Sequence, residues 1–518
     1  MRNVLVFSVV LFFLNSASSE LHKFGGIVSD PSKSSVVKIK NDIEKINPVK
    51  SSCILTEGIP PVGDQAGQGS CTCWAFGYYC KTYVEWQEHN WDVADPCNQF
   101  SPSFIFNQIN GGGGILGSTS DDALLLMELY GVCSINDMPY VSADFSSYPA
   151  SEDFYHSAFH KNKASYYTTF GDLTPLKQHI SNGNICVIHL MCYENFYYID
   201  EENPFYAVAL KEGVYQGGHM VAVVGYDDSI MTPDGLGAIK CINSWGTDWG
   251  DGGYFWIPYQ ALSTAYYVSH LGFWWFEGKT DYEPELFASF NVSHDKRDVA
   301  SIGIYTGSQT SPQNSMLLND WWMDDYRVTM PLYFDDYPFP STNILFDITE
   351  FALNNPDSVF LTLSDTIVDT VLGSIIAFKT ISKYGDETNA NDTPAPLPDS
   401  GFNFSALSFS DTNGTAVLSL KPESLFFDYS KAGEEDTTSF FILNLPPSTE
   451  LGNIYYYAVS NNSFWIDDVI FESYSVPLGD SVCITVTADS SWLERGTLYT
   501  DTLIIFCSAD SLTKGSDI

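Results

Sequence analysis

Positive charge is what this chain has least of. Lys and Arg number 23 against 64 Asp and Glu in 518 residues, a formal charge of −41. That balance excludes nucleic acid and anionic membrane surfaces as partners, because both would repel the chain. Its bland consequence is solubility in an acidic or protein-rich fluid. Long apolar runs are also missing. Only Val4–Leu14 approaches one, and it is too short to span a bilayer, so no membrane span is expected. No phosphate loop or dinucleotide fingerprint occurs. Cys71-Thr-Cys73 lacks a second paired cluster and the nine histidines do not group as ligands, so neither metal nor cofactor is expected. No fixed-period repeat is visible.

What is present is a large, well-patterned chain. Hydrophobic residues at 44% and aromatics at 15% suffice for real cores, and the length predicts two or three domains. Residues 1–19 read as a secretory signal, with Arg2, an apolar core and small residues at Ser16–Ser19. The expectation is therefore a soluble, exported monomer, secreted or delivered to a lysosome or vacuole. Eleven cysteines fit an oxidising compartment; one catalytic thiol would leave ten for disulfides, with Cys483 and Cys507 read as one pair. Sequons at Asn291, Asn391, Asn403, Asn413 and Asn461 all fall after residue 290, which marks a glycan-bearing surface there.

Residues 20–58 are polar, with a short helical pattern near Val37–Ile46, and read as a pro-segment or N-terminal arm. Residues 59–278 mix helix and strand signals. Cys73, Gly77, Cys80 and Val84 recur at helical spacing and predict a helix from Cys71 to about Gln87. A second is predicted at Asp121–Tyr130, stopped by Gly131, and strands at His219–Tyr226 and Ala238–Ile242. Beyond 280, alternating strands such as Val359–Leu363 and Val482–Val486 predict β-sandwiches over 279–415 and 416–518, the second immunoglobulin-like. Asp386–Ser400 reads as a linker. Trp321, Trp322 and Tyr326 are candidates for a sugar platform, though core packing is the plainer reading.

The chemistry concentrates in three stretches. Gln65-Ala-Gly-Gln-Gly-Ser-Cys71-Thr-Cys73-Trp-Ala-Phe76 puts a thiol before a helix, where the dipole and free N–H groups favour the thiolate. Gly217-Gly218-His219-Met220 opens an apolar strand. Asn243-Ser-Trp245-Gly-Thr-Asp-Trp-Gly-Asp-Gly-Gly-Tyr254 follows. A cysteine hydrolase needs a thiolate, a base, a group that orients the base, and oxyanion donors, and these stretches offer one of each.

Together the three blocks resemble the papain family of cysteine peptidases, and within it the xylellain-like, bacterial-type branch, over about residues 51–270. The resemblance implies an α+β fold: a papain-like two-subdomain peptidase, with a helical left part and a β-barrel-like right part, followed by one or two β-sandwich domains. It implies that Gln65 donates to the oxyanion, His219 pairs with the thiolate, Asn243 fixes the imidazole and Trp245 covers that bond, with Ser70 in support. Two cysteines compete as nucleophile. Cys73 precedes the family's Trp-Ala-Phe, whereas Gln65 to Cys71 keeps the family's glutamine-to-cysteine distance of six and Gln65 to Cys73 is eight. Cys71 is therefore the expected nucleophile and Cys73 the alternative, which leaves the motif's first-cysteine disulfide without a counterpart. Gly112 and Gly113 are candidates for the substrate cleft, as are Gly218 and Met220, whose small and apolar character suggests an apolar substrate side chain. Partners would be protein or peptide substrates, with glycan or surface binding by the β domains. The alternative function is a surface-binding or adhesive protein carrying an inactive papain-like module.

Overall fold

The computed structural model describes most of residues 22–403 and, beyond them, the backbone of the strands alone. Outside the described residues lie 1–21, 28, 45–48, 111–113, 115, 263–271, 297–299, 309–310, 319–337, 351–357, 366–372, 386, 391–392, 398–400 and the connections after 403. The leader, Gly112, Gly113, the Trp321–Tyr326 cluster and the sequon residues Asn391, Asn413 and Asn461 fall there.

One helical path runs from Cys71 to His89. It begins as α-helix at Cys71–Cys73, widens to a π-helix over Trp74–Lys81 and returns to α-helix at Thr82–His89. The predicted helix is thus present, but its i+4 regularity is broken in the middle. Gly77 allows close packing there: a Cβ on it would lie 2.5 Å from Ile105 Cδ1. Around it pack the helices Pro102–Ile109 and Ser120–Leu129. Each is started by a hydroxyl, Ser101 accepting from the Phe104 N–H and Thr119 from the Asp122 N–H.

The second half is an eight-stranded sheet. Its order is Val37–Ile39, Asn162–Thr169, Gly272–Gly278, Cys186–Tyr193, Tyr215–Thr232, Gly235–Ile242 and Tyr254–Pro258, with Ser52–Ile54 added beside Tyr215–Thr232. Val37–Ile39 pairs parallel with residues 165–167 and is strand rather than helix. The helical pattern in that stretch lost to a partner about 130 residues away that satisfies its backbone groups. One buried core joins the helices to the near face of the sheet, and a second fills its far side around Phe196, Tyr206, Tyr226 and Trp249.

Two further sheets follow. One orders Ile344–Asp347, Leu286–Ser293, Gly373–Ser382 and Glu387–Asn389; the other orders Ser311–Leu317, Ala300–Ser308, Ser358–Asp365 and Gly401–Asn403. Their apolar faces share a core through Phe290, Ile302, Leu361, Ile375 and Phe378. The expected linker at 386–400 is instead partly strand: Glu387–Asn389 and Ala395–Leu397 both pair with Gly373–Ser382. This module is docked on the helical half. Lys161 and Asp347 form a 2.8 Å ion pair with both side chains buried. Tyr130 stacks edge-on against Phe346 and donates its hydroxyl to the Leu318 carbonyl. Two antiparallel sheets built from residues 417–508 complete the described chain. Cys483 and Cys507 lie on strands of different sheets there. The nine described cysteines, Cys53 to Cys241, are free. No described helix is long and apolar enough to cross a membrane.

Candidate active site

The site lies where the N-terminus of the Cys71 helix meets the strand Tyr215–Thr232. Cys71 and His219 are both fully buried. The backbone N–H groups of Met220, Gly25 and Thr72 lie near the Cys71 thiol and act to lower its pKa. Met220 follows His219 directly, so the thiol is held against the strand that carries the imidazole. His219 Nε2 is 2.7 Å from Asn243 Oδ1. Its other nitrogen, Nδ1, is buried without a hydrogen-bond partner, which leaves it available to the thiol.

Asn243 is held from three directions. Its N–H donates to the Gly253 carbonyl, its carbonyl accepts the Tyr79 hydroxyl at 2.7 Å, and its Oδ1 also accepts the Ser244 N–H. Tyr79 belongs to the π-helical stretch, so the widened turns of the Cys71 helix reach across to fix the asparagine. Trp245 lies beside the His219 ring, centroids 5.3 Å apart, and shields the His219–Asn243 bond from water.

Gln65 is oriented with equal care. Its N–H donates to the Ser244 carbonyl, and Gly246 donates back to Gly63, which pins the glutamine loop to the asparagine loop. Ser244 Oγ donates to Gln65 Oε1 at 2.7 Å, so the amide NH₂ faces the cleft. Tyr140 donates to the Gln65 carbonyl and contacts Ser70 Oγ at 2.8 Å. Ser70 therefore steadies the approach to Cys71 through Tyr140. Cys73 points elsewhere: its sulfur is 3.6 Å from Ser118 Oγ, in the core of the helical half. Met220 is buried, and Gly218 opens toward the cleft.

The cleft is filled by the chain's own residues 22–27, a placement the sequence did not announce. Gln65 Nε2 donates to the Lys23 carbonyl at 2.8 Å. Phe24 packs on Phe196, Tyr197, His219 and Trp245. His22 stacks on Trp245 and bonds Asp64 at 2.8 Å. Gly26–Ile27 pairs parallel with Ser118–Thr119. The Gly25-Gly26 pair was the available signal. A Cβ on Gly25 would sit 1.9 Å from the Gly69 carbonyl oxygen, and one on Gly26 would sit 3.0 Å from the His219 backbone.

This filling sets the electrostatics. Desolvation pulls the His219 pKa down to about 3, against the opposing pull of the Asn243 bond. Desolvation likewise raises the Cys71 thiol, outweighing its N–H donors. The sequence led us to expect an ion pair with a lowered thiol pKa. With water excluded, the closed cleft instead holds a neutral thiol and a neutral imidazole.

Residues 55–266 match the model of the papain family cysteine proteases. Over that stretch, 212 of the 518 residues, the chain is papain-like, and the match supports a hydrolase. Its relatives include an uncharacterized peptidase C1-like protein of Acanthamoeba polyphaga mimivirus, 26% identical over 42% of this chain and 70% of that protein. A cathepsin B-like protein of Giardia intestinalis is 28% identical over 38% of this chain and 63% of its own length. Among solved structures, xylellain, a cysteine protease from Xylella fastidiosa, is 23% identical with a TM-score of 0.41, over 50% of this chain and 96% of xylellain.

Proposed function

We propose that the protein is a cysteine endopeptidase, made as a latent form, whose nucleophile is Cys71. In the open cleft the Cys71 thiolate attacks the substrate carbonyl carbon. The electron pair moves to the oxygen, which the Gln65 amide and the Cys71 backbone N–H stabilise. His219 gives its proton to the leaving amine, and an acyl-enzyme forms. His219 then takes a proton from water, whose oxygen attacks the acyl carbon and expels the thiolate. Asn243 keeps the imidazole turned so that Nδ1 stays with the sulfur.

The observation that carries this reading is the 2.7 Å His219–Asn243 bond on the strand whose next N–H meets the Cys71 sulfur. Residues 22–27 are read as the inhibitory part of a pro-segment. They occupy the Gln65 amide with the Lys23 carbonyl and bring the Gly25 N–H beside the thiol. An exported route, secreted or lysosomal, fits the leader at 1–19, and the β regions after residue 279 are read as spacers or as modules that bind glycans or surfaces.

The test is activity of the full-length protein after limited proteolysis or acid treatment, on casein and fluorogenic peptides. Wild type and Cys73→Ala are expected to cleave and Cys71→Ala to be inert. Inert wild type, with the segment shown by mass spectrometry to be removed, would favour a surface-binding protein with an inactive module instead.

A further inference from the structure

The end of the helix Thr82–His89 gathers side chains that no step of the hydrolysis above uses. Glu85, Glu88 and His89 stand at i, i+3 and i+4, so they project from one helix face. One ligand atom from each, two carboxylate oxygens and an imidazole nitrogen, lies within 4.8 Å of the other two. His89 Nε2 is 3.5 Å from Glu85 Oε2 and 3.9 Å from Glu88 Oε1. Both separations exceed a hydrogen bond, and a simple ion pair would draw the imidazole to about 2.7–2.9 Å from one carboxylate. They are close to the edge of a coordination tetrahedron: donors about 2.0–2.2 Å from zinc stand roughly 3.3–3.6 Å apart.

Each donor is also held from behind. Lys81 Nζ is 2.8 Å from Glu85 Oε1, and His160 Nδ1 braces Glu85 Oε2 at 2.9 Å. The Asp281 N–H donates to Glu88 Oε1 at 2.6 Å. Trp91 stacks flat on the His89 ring, centroids 4.3 Å apart, and stands edge-on to His160. Partners of this kind orient the ligands of metal sites and fix the ring nitrogen that faces the ion. Lys81 answers one of the two carboxylate charges and leaves the other to attract a cation. The side chains are 4%, 12% and 33% exposed from Glu85 to Glu88 to His89, so the group opens to solvent at the imidazole. The histidines do not group in the sequence, yet the fold brings both His89 and His160 to Glu85.

We propose that Glu85, Glu88 and His89 bind a tetrahedral divalent cation, zinc by its ligand set, with water as the fourth ligand. The site lies where the chain passes from the peptidase half to the docked β module. Glu88 holds Asp281, and the next residue, Tyr282, donates its hydroxyl to Asp347, the carboxylate buried against Lys161. An ion there fastens the helix end to that junction.

The probe is Zn²⁺ alone, in equilibrium dialysis of the full chain with the metal counted by elemental mass spectrometry. Free thiols also take up zinc, so the readout is the difference between wild type and variants. Wild type is expected to hold about one zinc per chain more than Glu88→Gln or His89→Arg. Its affinity for that ion should exceed theirs by more than the roughly 10–100-fold that loss of a supporting partner costs. His89→Arg keeps a positive charge before both glutamates but offers no ligand, so an ion-pair role survives it and a metal role does not. Cys71→Ala should match wild type, which separates this site from the active-site thiol. Zinc should also slow hydrogen exchange at the Asp281 amide in wild type and leave it unchanged in His89→Arg. Equal zinc uptake by wild type and both variants, each unfolding cooperatively, overturns the proposal. Should His89→Arg fail to fold, Glu88→Gln decides alone.

Discussion

Gly25 offers a perturbation that separates latency from catalysis, because it touches the filled cleft and not the chemistry. A methyl group at this position would stand 1.9 Å from the Gly69 carbonyl oxygen, which is backbone at the start of the Cys71 helix and has little freedom to retreat. Gly69 is itself tied by its N–H to the Gly114 carbonyl at 2.7 Å. Relieving the overlap means lifting residues 22–27, which strains the bonds from Gln65 to Lys23, from the Ser118 N–H to Gly25 and from His189 to Gly26. Overpacking of this kind costs about 1–3 kcal/mol, and each 1.4 kcal/mol is ten-fold in an equilibrium constant. Gly25→Ala should therefore raise the fraction of open cleft about 5- to 150-fold. The assay is the second-order rate at which a thiol-directed epoxide labels the uncleaved chain at neutral pH, with unfolding monitored in parallel. Labelling accelerated by at least about five-fold in a protein that still unfolds cooperatively is the expected result. A rate equal to wild type would refute the argument that the glycine pair is what lets the segment seat.

Other predictions address the remaining parts of the account. Gln65→Ala should lower kcat of the activated enzyme by roughly 10²–10³ with a smaller change in KM, as removal of an oxyanion donor does; steady-state kinetics on one peptide reads both. Acid should open the cleft. His219, held near 3 when buried, binds a proton at its ordinary value near 6.5 once water reaches it. The closed form is therefore fully favoured above about pH 6.5 and loses about 1.4 kcal/mol per pH unit below it, while Asp64, kept low first by its His22 bond, stays charged. Hydrogen exchange at the Phe24 and Gly25 amides, corrected for intrinsic rate, should rise as pH falls from 6.5 to 4.5; flat protection would contradict the linkage. Lys161→Met should destabilise the chain by about 3–5 kcal/mol by stranding the buried Asp347 carboxylate. Lys161→Met with Asp347→Leu should recover most of it, measured by urea unfolding.

The parts legible in the sequence are those whose determinants are local. The helix at Ser120–Leu129 carries its own cap in Thr119 and its stop in Gly131, and the strand through His219 is an unbroken apolar run. The glutamine-to-cysteine spacing points at Cys71, and the Cys73 sulfur lies beside Ser118 Oγ in the core of the helical half. What was not legible depended on distant partners. Val37–Ile39 became strand because residues 165–167 needed a neighbour, and Glu387–Asn389 and Ala395–Leu397 joined a sheet rather than linking two. The π-helical turns at Trp74–Lys81 go with close packing such as that of Gly77 on Ile105, which the spacing of apolar residues could not report. Nor could it report that Phe24 would find a box formed by Phe196, Tyr197, His219 and Trp245, residues brought together only by the folded sheet.

The most direct test of the central claim is where a thiol-directed epoxide attaches in the activated protein, read by peptide mass spectrometry over residues 66–81, the stretch that contains Cys71, Cys73 and Cys80. The account predicts stoichiometric label on Cys71, none on Cys73 or Cys80, and loss of labelling in His219→Ala. Label on Cys73, or labelling of Cys71 that does not depend on His219, would contradict it.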